Sequence, residues 1–149
     1  MEGLLGFAKN IISGLLDDEQ ESIPVPKRKP RTPLIESIII QESGGDPKAK
    51  SPKGAMGLMQ IMPATAKKPG FGIKPLKDPM DPVENERFGT QYINALINRY
   101  GNTRDALIAY NWGMGNTDKW IRRGRDVRKL PLETRNYYTQ ILGRLQNGS

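Results

Sequence analysis

Between residues 3 and 16 apolar side chains recur at positions 4, 5, 8, 11, 12, 15 and 16, three or four residues apart, which stacks them along one side of a helix. Lys9, Asn10 and Ser13 occupy the other side. Such a helix docks on its own domain or on a partner protein more readily than on a membrane surface, because one Lys and three Gly make a poor interfacial anchor. The periodicity then stops. Residues 17–31 hold an acidic run, proline after proline and a basic cluster of Lys27, Arg28, Lys29 and Arg31, a stretch that reads as a linker and solvated tether. From Thr32 onward the helical period returns. Thr32 can cap, Pro33 suits a first helical position, and LIESIIIQES puts Leu34, Ile35, Ile38 and Ile39 on one face. Asp81-Pro82-Val83-Glu84 reads as an acidic capping box opening a helix through Phe88, Tyr92, Leu96 and Tyr100, which Gly101 closes. A helix from Thr103 runs RDALIAYNW to Gly113, a short one follows as DKWIRRG, and the last goes from near Leu132 through Tyr137, Ile141 and Leu145 to Gly148. Sustained two-residue alternation is absent, though 69 to 79 leaves room for a small hairpin. The pattern predicts a mainly α fold in three parts: a docking helix over 1–16, a linker over 17–31 and a helical domain over 32–149.

Composition narrows the chemistry. Among 149 residues there is no His and no Cys, which removes Ser-His-Asp and Cys-His nucleophiles, thiolate and imidazole metal sites, and disulfides. No metal and no cofactor is expected, and catalysis would have to run on carboxylates, hydroxyls, amides or amines. A net charge of +7 calls for a polyanionic partner: nucleic acid, an anionic membrane or a bacterial wall. No apolar run reaches the roughly 20 residues that span a bilayer. The first residues open on Glu2, break at Lys9 and Asn10, and offer no small-residue cleavage site before Asp17, so a cleaved signal is not expected.

Glu42 is the outlier of its helix. It stands seven residues after Ile35 and four after Ile38, on the apolar face, at the C-terminal end. Desolvation and the negative end of the helix dipole both disfavour its charged form, which suits a general acid working near neutral pH. Position alone favours the plainer reading, a Glu that reaches solvent at a frayed helix end.

What surrounds Glu42 in the sequence decides between them. Ser43 follows it directly, then come Gly57-Leu58-Met59-Gln60, Ala109-Tyr110-Asn111 and Glu133-Thr134 with Tyr137. In this order and spacing, over roughly residues 33 to 142, the segments resemble the lytic transglycosylases of the goose-lysozyme-like superfamily. That resemblance implies a compact lysozyme-like helical domain with a substrate cleft, and peptidoglycan as substrate. It implies Glu42 as catalytic acid/base and Ser43 as a hydroxyl held near the carboxyl and the sugar. Gln60 would line the cleft with Met59 as apolar neighbour, Tyr110 and Asn111 would meet the sugar, and the Tyr137 hydroxyl would point towards the carboxyl.

Ordinary glycosidases use two carboxyl groups, and here one falls in a motif. Asp46, Asp78 and Asp81 are the candidates for a second, but Asp46 before Pro47 reads as turn chemistry and Asp81 as a helix cap. One carboxyl suits a route in which the 2-acetamido group of N-acetylmuramic acid assists and the muramoyl O6 closes on C1, leaving a 1,6-anhydro end. A goose-type muramidase using water is the alternative enzyme. A basic binding or scaffold module is the alternative from another class, on the cluster Trp112, Trp120, Arg122, Arg123, Arg125, Arg128 and Lys129, although nucleic acid is not the expected partner. An enzyme that reaches the wall without a signal would travel with a virion, a lysis system or a secretion apparatus, and the helix over 1–16 would hold it there.

Overall fold

A computed structural model of the chain describes residues 27 to 148, so the expected docking helix and most of the linker lie outside the described residues. Residues 27 to 32 precede the first helix without regular structure. Six α-helices follow: α1 (Pro33–Ser43), α2 (Pro63–Lys67), α3 (Pro82–Tyr100), α4 (Thr103–Trp112), α5 (Met114–Arg122) and α6 (Leu132–Asn147), with a 3-10 turn over Val127–Lys129. Among the described residues the only extended pairings are isolated bridges of Met56 to Lys50 and to Ile61. No hairpin forms within 69 to 79; that stretch is irregular and tucks Leu76 into the core.

The caps work as their residue types dictate. The Thr32 hydroxyl accepts from the Ile35 amide at 3.3 Å, and Gly44, at φ 63°, closes α1 with its N–H on the Ile40 carbonyl. Asp81 accepts from the amides of Val83 and Glu84 at 2.8 and 3.0 Å, while Glu84 pairs with Arg87 instead of reaching back to complete a box. α5 begins four residues before the predicted Asp118. Gly113, at φ 97° and ψ 150°, breaks α4, and the next helix starts at once because Thr117 Oγ1 and Asn116 Nδ2 donate back to the carbonyls of Gly113 and Trp112. Gly, Asn and Thr are weak helix formers, so this turn leaves little trace in the pattern.

α4 is the hub. Asp105, Ala106, Leu107, Ile108 and Ala109 are buried in it, and α3, α5 and α6 all pack against it, with α1 against α6. The main core gathers Ile35, Ile38 and Ile39 of α1, Phe88, Ile93 and Leu96 of α3, and Tyr137 and Ile141 of α6. A smaller cluster of Ile108, Trp120 and Leu130 lies on the far side of α4. Ser37 Oγ donates to the Ile141 carbonyl at 3.2 Å, tying α1 to α6 where both lend residues to the candidate site.

Candidate active site

The Glu42 carboxyl sits in the last turn of α1, beside Tyr137 of α6 and Tyr110 of α4. Burial is the main cause that lifts its pKa from the ordinary 4.5 to about 7; the Tyr137 hydroxyl opposes the rise, and the negative charge of Glu133 adds to it. The same chemistry acts in reverse on the tyrosines. Burial first, then the nearby Glu42 charge, pushes both the Tyr110 and the Tyr137 hydroxyls well above their ordinary range, so both stay protonated donors. Tyr110 donates to the Met59 carbonyl at 2.7 Å. The buried Tyr137 hydroxyl has no partner in formed hydrogen-bond geometry, yet it lies close enough to Glu42 to favour the carboxylate and lower its pKa.

The facing wall is a loop closed on itself by reciprocal amide–carbonyl bonds between Met56 and Ile61, at 3.1 and 3.0 Å. Asn85 of α3, wholly buried, clamps it. Its Oδ1 accepts from the Met59 amide at 2.8 Å, and its Nδ2 donates to the carbonyls of Met56 and Pro79 at 2.9 and 2.8 Å. Gly57, at φ 80°, is pressed so closely against Asn85 and the Pro79 carbonyl that a β-carbon would collide with both. Gln60 adopts φ 50°, and its Nε2 donates to the carbonyls of Ala49 and Gly57 at 3.0 and 2.9 Å. Its side-chain oxygen accepts no hydrogen bond from the described residues.

Beyond this loop a pocket of about 230 Å³ opens, lined among others by Gln60, Met62, Tyr92, Tyr110, Asn111 and Trp112. Glu42 does not line it; Tyr110 joins the two, forming pocket wall while it feels the Glu42 charge. The Asn111 Oδ1 accepts from the buried Thr134 hydroxyl at 2.9 Å, which leaves the amide NH₂ as the group Asn111 can offer. Tyr92 sits between Phe88, stacked at 6.1 Å, and Tyr110, edge-on at 6.0 Å. Among the described residues no cluster of three or more acidic side chains could hold a metal ion.

The structure thus gathers Glu42, Tyr110 and Tyr137 around one carboxyl, and Gln60, Tyr110 and Asn111 around one pocket. One residue falls differently from expectation. Met59 is fully buried, its side chain packed against Gly89, so it supports the wall from behind and cannot meet a sugar. The Ser43 hydroxyl, next in the chain to Glu42, donates to the Ile39 carbonyl and accepts from the Gly45 amide, both at 3.2 Å, and so helps to close the end of α1. Asp46 and Asp81 cap a turn and a helix as expected. Thr134 enters the sequence pattern only within the Glu133-Thr134 segment and Trp112 only within the aromatic and basic cluster, while no motif marks Asn85. Asn85 had a signal: it stands three residues before Phe88, on the apolar stripe of its helix, where a polar residue needs partners.

An all-helical domain with a half-buried, proton-retaining Glu at a helix end, beside a pocket of aromatics and amides, defines a lysozyme-like class. Residues 26–131 match the sequence profile of the transglycosylase SLT domain, and the chain belongs to that family. It is 38% identical over 120 residues to the soluble lytic murein transglycosylase of Escherichia coli K12, covering 71% of this chain and 19% of that protein. A transglycosylase of Enterobacteria phage PRD1 is 39% identical over 87 residues, 58% of this chain and 31% of that one. Among solved structures, the 70 kDa soluble lytic transglycosylase of Escherichia coli superposes with a TM-score of 0.66 at 36% identity, covering 78% of this chain and 21% of that chain. The chain therefore spans about a fifth of the length of the bacterial relatives it matches.

Proposed function

We propose that the chain is a peptidoglycan lytic transglycosylase that cleaves the β-1,4 bond between N-acetylmuramic acid and N-acetylglucosamine. The observation that carries this reading is Glu42, a half-buried carboxyl whose desolvation lifts its pKa to about 7 and which has no ion-pair partner among the described residues. Near neutral pH such a group is present in both forms, so it can give a proton and then take one back. Protonated Glu42 donates to the glycosidic oxygen as the C1–O4 bond breaks, while the 2-acetamido oxygen of the muramoyl residue stabilises C1. The Glu42 carboxylate then removes the proton from the muramoyl O6 hydroxyl as O6 bonds to C1, which regenerates the acid and yields the 1,6-anhydro end without water. The Tyr137 hydroxyl steadies the carboxylate between the two steps. Gln60 Oε1 and Asn111 Nδ2 offer an acceptor and a donor to sugar amides and hydroxyls, and Tyr110 gives the ring a face to lie against. Met59 and Ser43 serve by holding the loop and the helix end.

The substrate places its action on the periplasmic or extracellular side of the membrane. The kinship with a phage transglycosylase supports delivery in a phage particle, with residues 1–16 as attachment and 17–31 as tether.

The test is digestion of purified sacculi with mass analysis of the muropeptides, using the intact chain and Glu42→Gln. Muramoyl products one water lighter than hydrolysis products, lost in a folded variant, are expected. Reducing muramic ends alone would make the protein a goose-type muramidase, and undigested sacculi would leave a binding module.

A further inference from the structure

The aromatic and basic residues near the C-terminal end of the sequence do not form one patch. Arg125 is drawn to buried Asp105, Arg128 takes both oxygens of Asp126, and Arg122 lines a separate surface with Arg99 and Asp118. What remains of the cluster closes around a pocket of about 130 Å³ between α5 and the 3-10 turn, formed by Trp112, Asn116, Lys119, Trp120, Arg123 and Lys129. Trp112 belongs equally to the pocket beside Tyr110 and Asn111, so one indole separates the two.

The polar groups of the aromatic wall are already used. Trp120 Nε1 donates to the Asp126 carbonyl at 2.9 Å and Asn116 Nδ2 to the Trp112 carbonyl at 3.1 Å. Asp126 also lines the pocket, but Arg128 neutralises it from outside with two bonds of 3.0 and 2.9 Å. Lys119, Arg123 and Lys129 have no ion pair among the described residues and are exposed. Lys119 stands in the last turn of α5 and Arg123 at its C-cap, two like charges brought to one end of the helix, an arrangement that mutual repulsion disfavours. The negative end of α5 offsets that pair, but it does not account for Lys129, which comes from another element to the same pocket. A cavity of about 150 Å³ holds a benzene ring, so this one takes a carboxylate with the methylenes that carry it, and not a sugar.

Resting on the transglycosylase reading, we propose that this pocket binds a carboxylate of the acidic peptide stem carried on the lactyl group of N-acetylmuramic acid. A glycan strand lying along the wall of Tyr110, Asn111 and Trp112 presents its stems to either side of the cleft, and a stem passing Trp112 meets three cations over an apolar floor. The side chains therefore favour stem-bearing over naked strands, a selection the acid/base pair cannot make.

The experiment titrates the full chain with the stem tetrapeptide L-alanyl-γ-D-glutamyl-meso-diaminopimelyl-D-alanine, following tryptophan fluorescence, for the native sequence and for the triple substitution Lys119→Gln, Arg123→Gln and Lys129→Gln. All three side chains are exposed, and circular dichroism checks that the variant folds. Saturable binding is expected, weakened about tenfold or more in the variant and by added salt. The same two proteins are then assayed on stem-bearing strands and on strands stripped by an amidase, where the variant should lose kcat/KM on the first and keep it on the second. No fluorescence titration, equal affinity in the variant, equal binding of a peptide with amidated carboxyls, preferential binding of a DNA oligomer, or an equal loss on both strands would overturn the proposal. Peptide binding that depends on the three cations, with neither strand cleaved, would overturn the transglycosylase reading and leave the pocket standing.

Discussion

Replacing Glu42 by Gln should make the protein more stable in mild alkali, and by an amount that depends on pH in a defined way. The folded chain holds this carboxyl's pKa at about 7 against an ordinary 4.5. Between those values the folded state keeps a proton that the unfolded chain has released, so stability falls as pH rises through the window, and above about pH 7 the full cost stands. At about 1.4 kcal/mol for each pH unit of displacement, that cost is about 3.5 kcal/mol. Glutamine has the same shape and no charge to desolvate, so the variant escapes it. For a domain of this size 1 kcal/mol moves Tm by roughly 3–6 °C, which sets the expected gain at about 10–20 °C in mild alkali and near zero at about pH 4.5. Thermal or urea unfolding of the two proteins across that range reads the difference directly, because every other titrating group is common to both. A difference that stays constant with pH, or a native chain more stable than the variant at the alkaline end, would refute the claim that burial is what raises this pKa.

The remaining predictions concern the groups around Glu42 and the loop that faces it. Since the Tyr137 hydroxyl lowers the Glu42 pKa, Tyr137→Phe should raise it further and move the alkaline limb of kcat/KM to higher pH; an unmoved limb would remove Tyr137 from the site. Asn85→Ala deletes three hydrogen bonds and strands the buried Met59 amide, and should cost about 2–4 kcal/mol in urea unfolding, with activity falling as the loop loosens. A chain starting at Arg31 should fold and digest isolated wall, since every residue of the site lies downstream; a truncated chain that is inactive on isolated wall would make the first thirty residues part of the catalytic fold.

Much of this domain could be read from spacing because its long helices carry conventional signals: Thr32-Pro33 and Asp81-Pro82 at the starts, Gly44 and Gly101 at the ends, and apolar stripes between. Glu42 stood out as a carboxyl on such a stripe, and its raised pKa follows from that position. Less legible were features made by groups distant in sequence. The five residues of α2 are too short to show a period, and the first turn of α5 is held by Thr117 and Asn116 side chains bonding back across a Gly. Met59 stands in a motif beside Gln60, and nothing local tells that its side chain turns inward against Gly89 while its carbonyl holds Tyr110. Spacing also could not divide the basic cluster, because which Arg finds Asp105 or Asp126 is settled by the packing of α4, α5 and the 3-10 turn.

Two acids, Asp105 buried and Glu42 half-buried, show how the fold distinguishes structure from chemistry. Asp105, with no exposed side-chain surface, accepts from Asn102 Nδ2, Arg104 Nε and Arg125 Nε at 3.1, 3.3 and 3.1 Å, so its charge is met from three directions and it locks the start of α4. Glu42 is treated otherwise. It has one tyrosine in loose contact, a second acid in Glu133 adding repulsion, and no cation paired with it, in a chain whose Lys and Arg outnumber Asp and Glu by 23 to 16. A paired arginine would stabilise the fold and would also hold the carboxyl charged at neutral pH, abolishing its use as an acid. Leaving it unpaired costs stability and keeps the proton. That cost is what the pH dependence of the Glu42→Gln comparison measures, and a domain free of catalytic demands would gain by removing it.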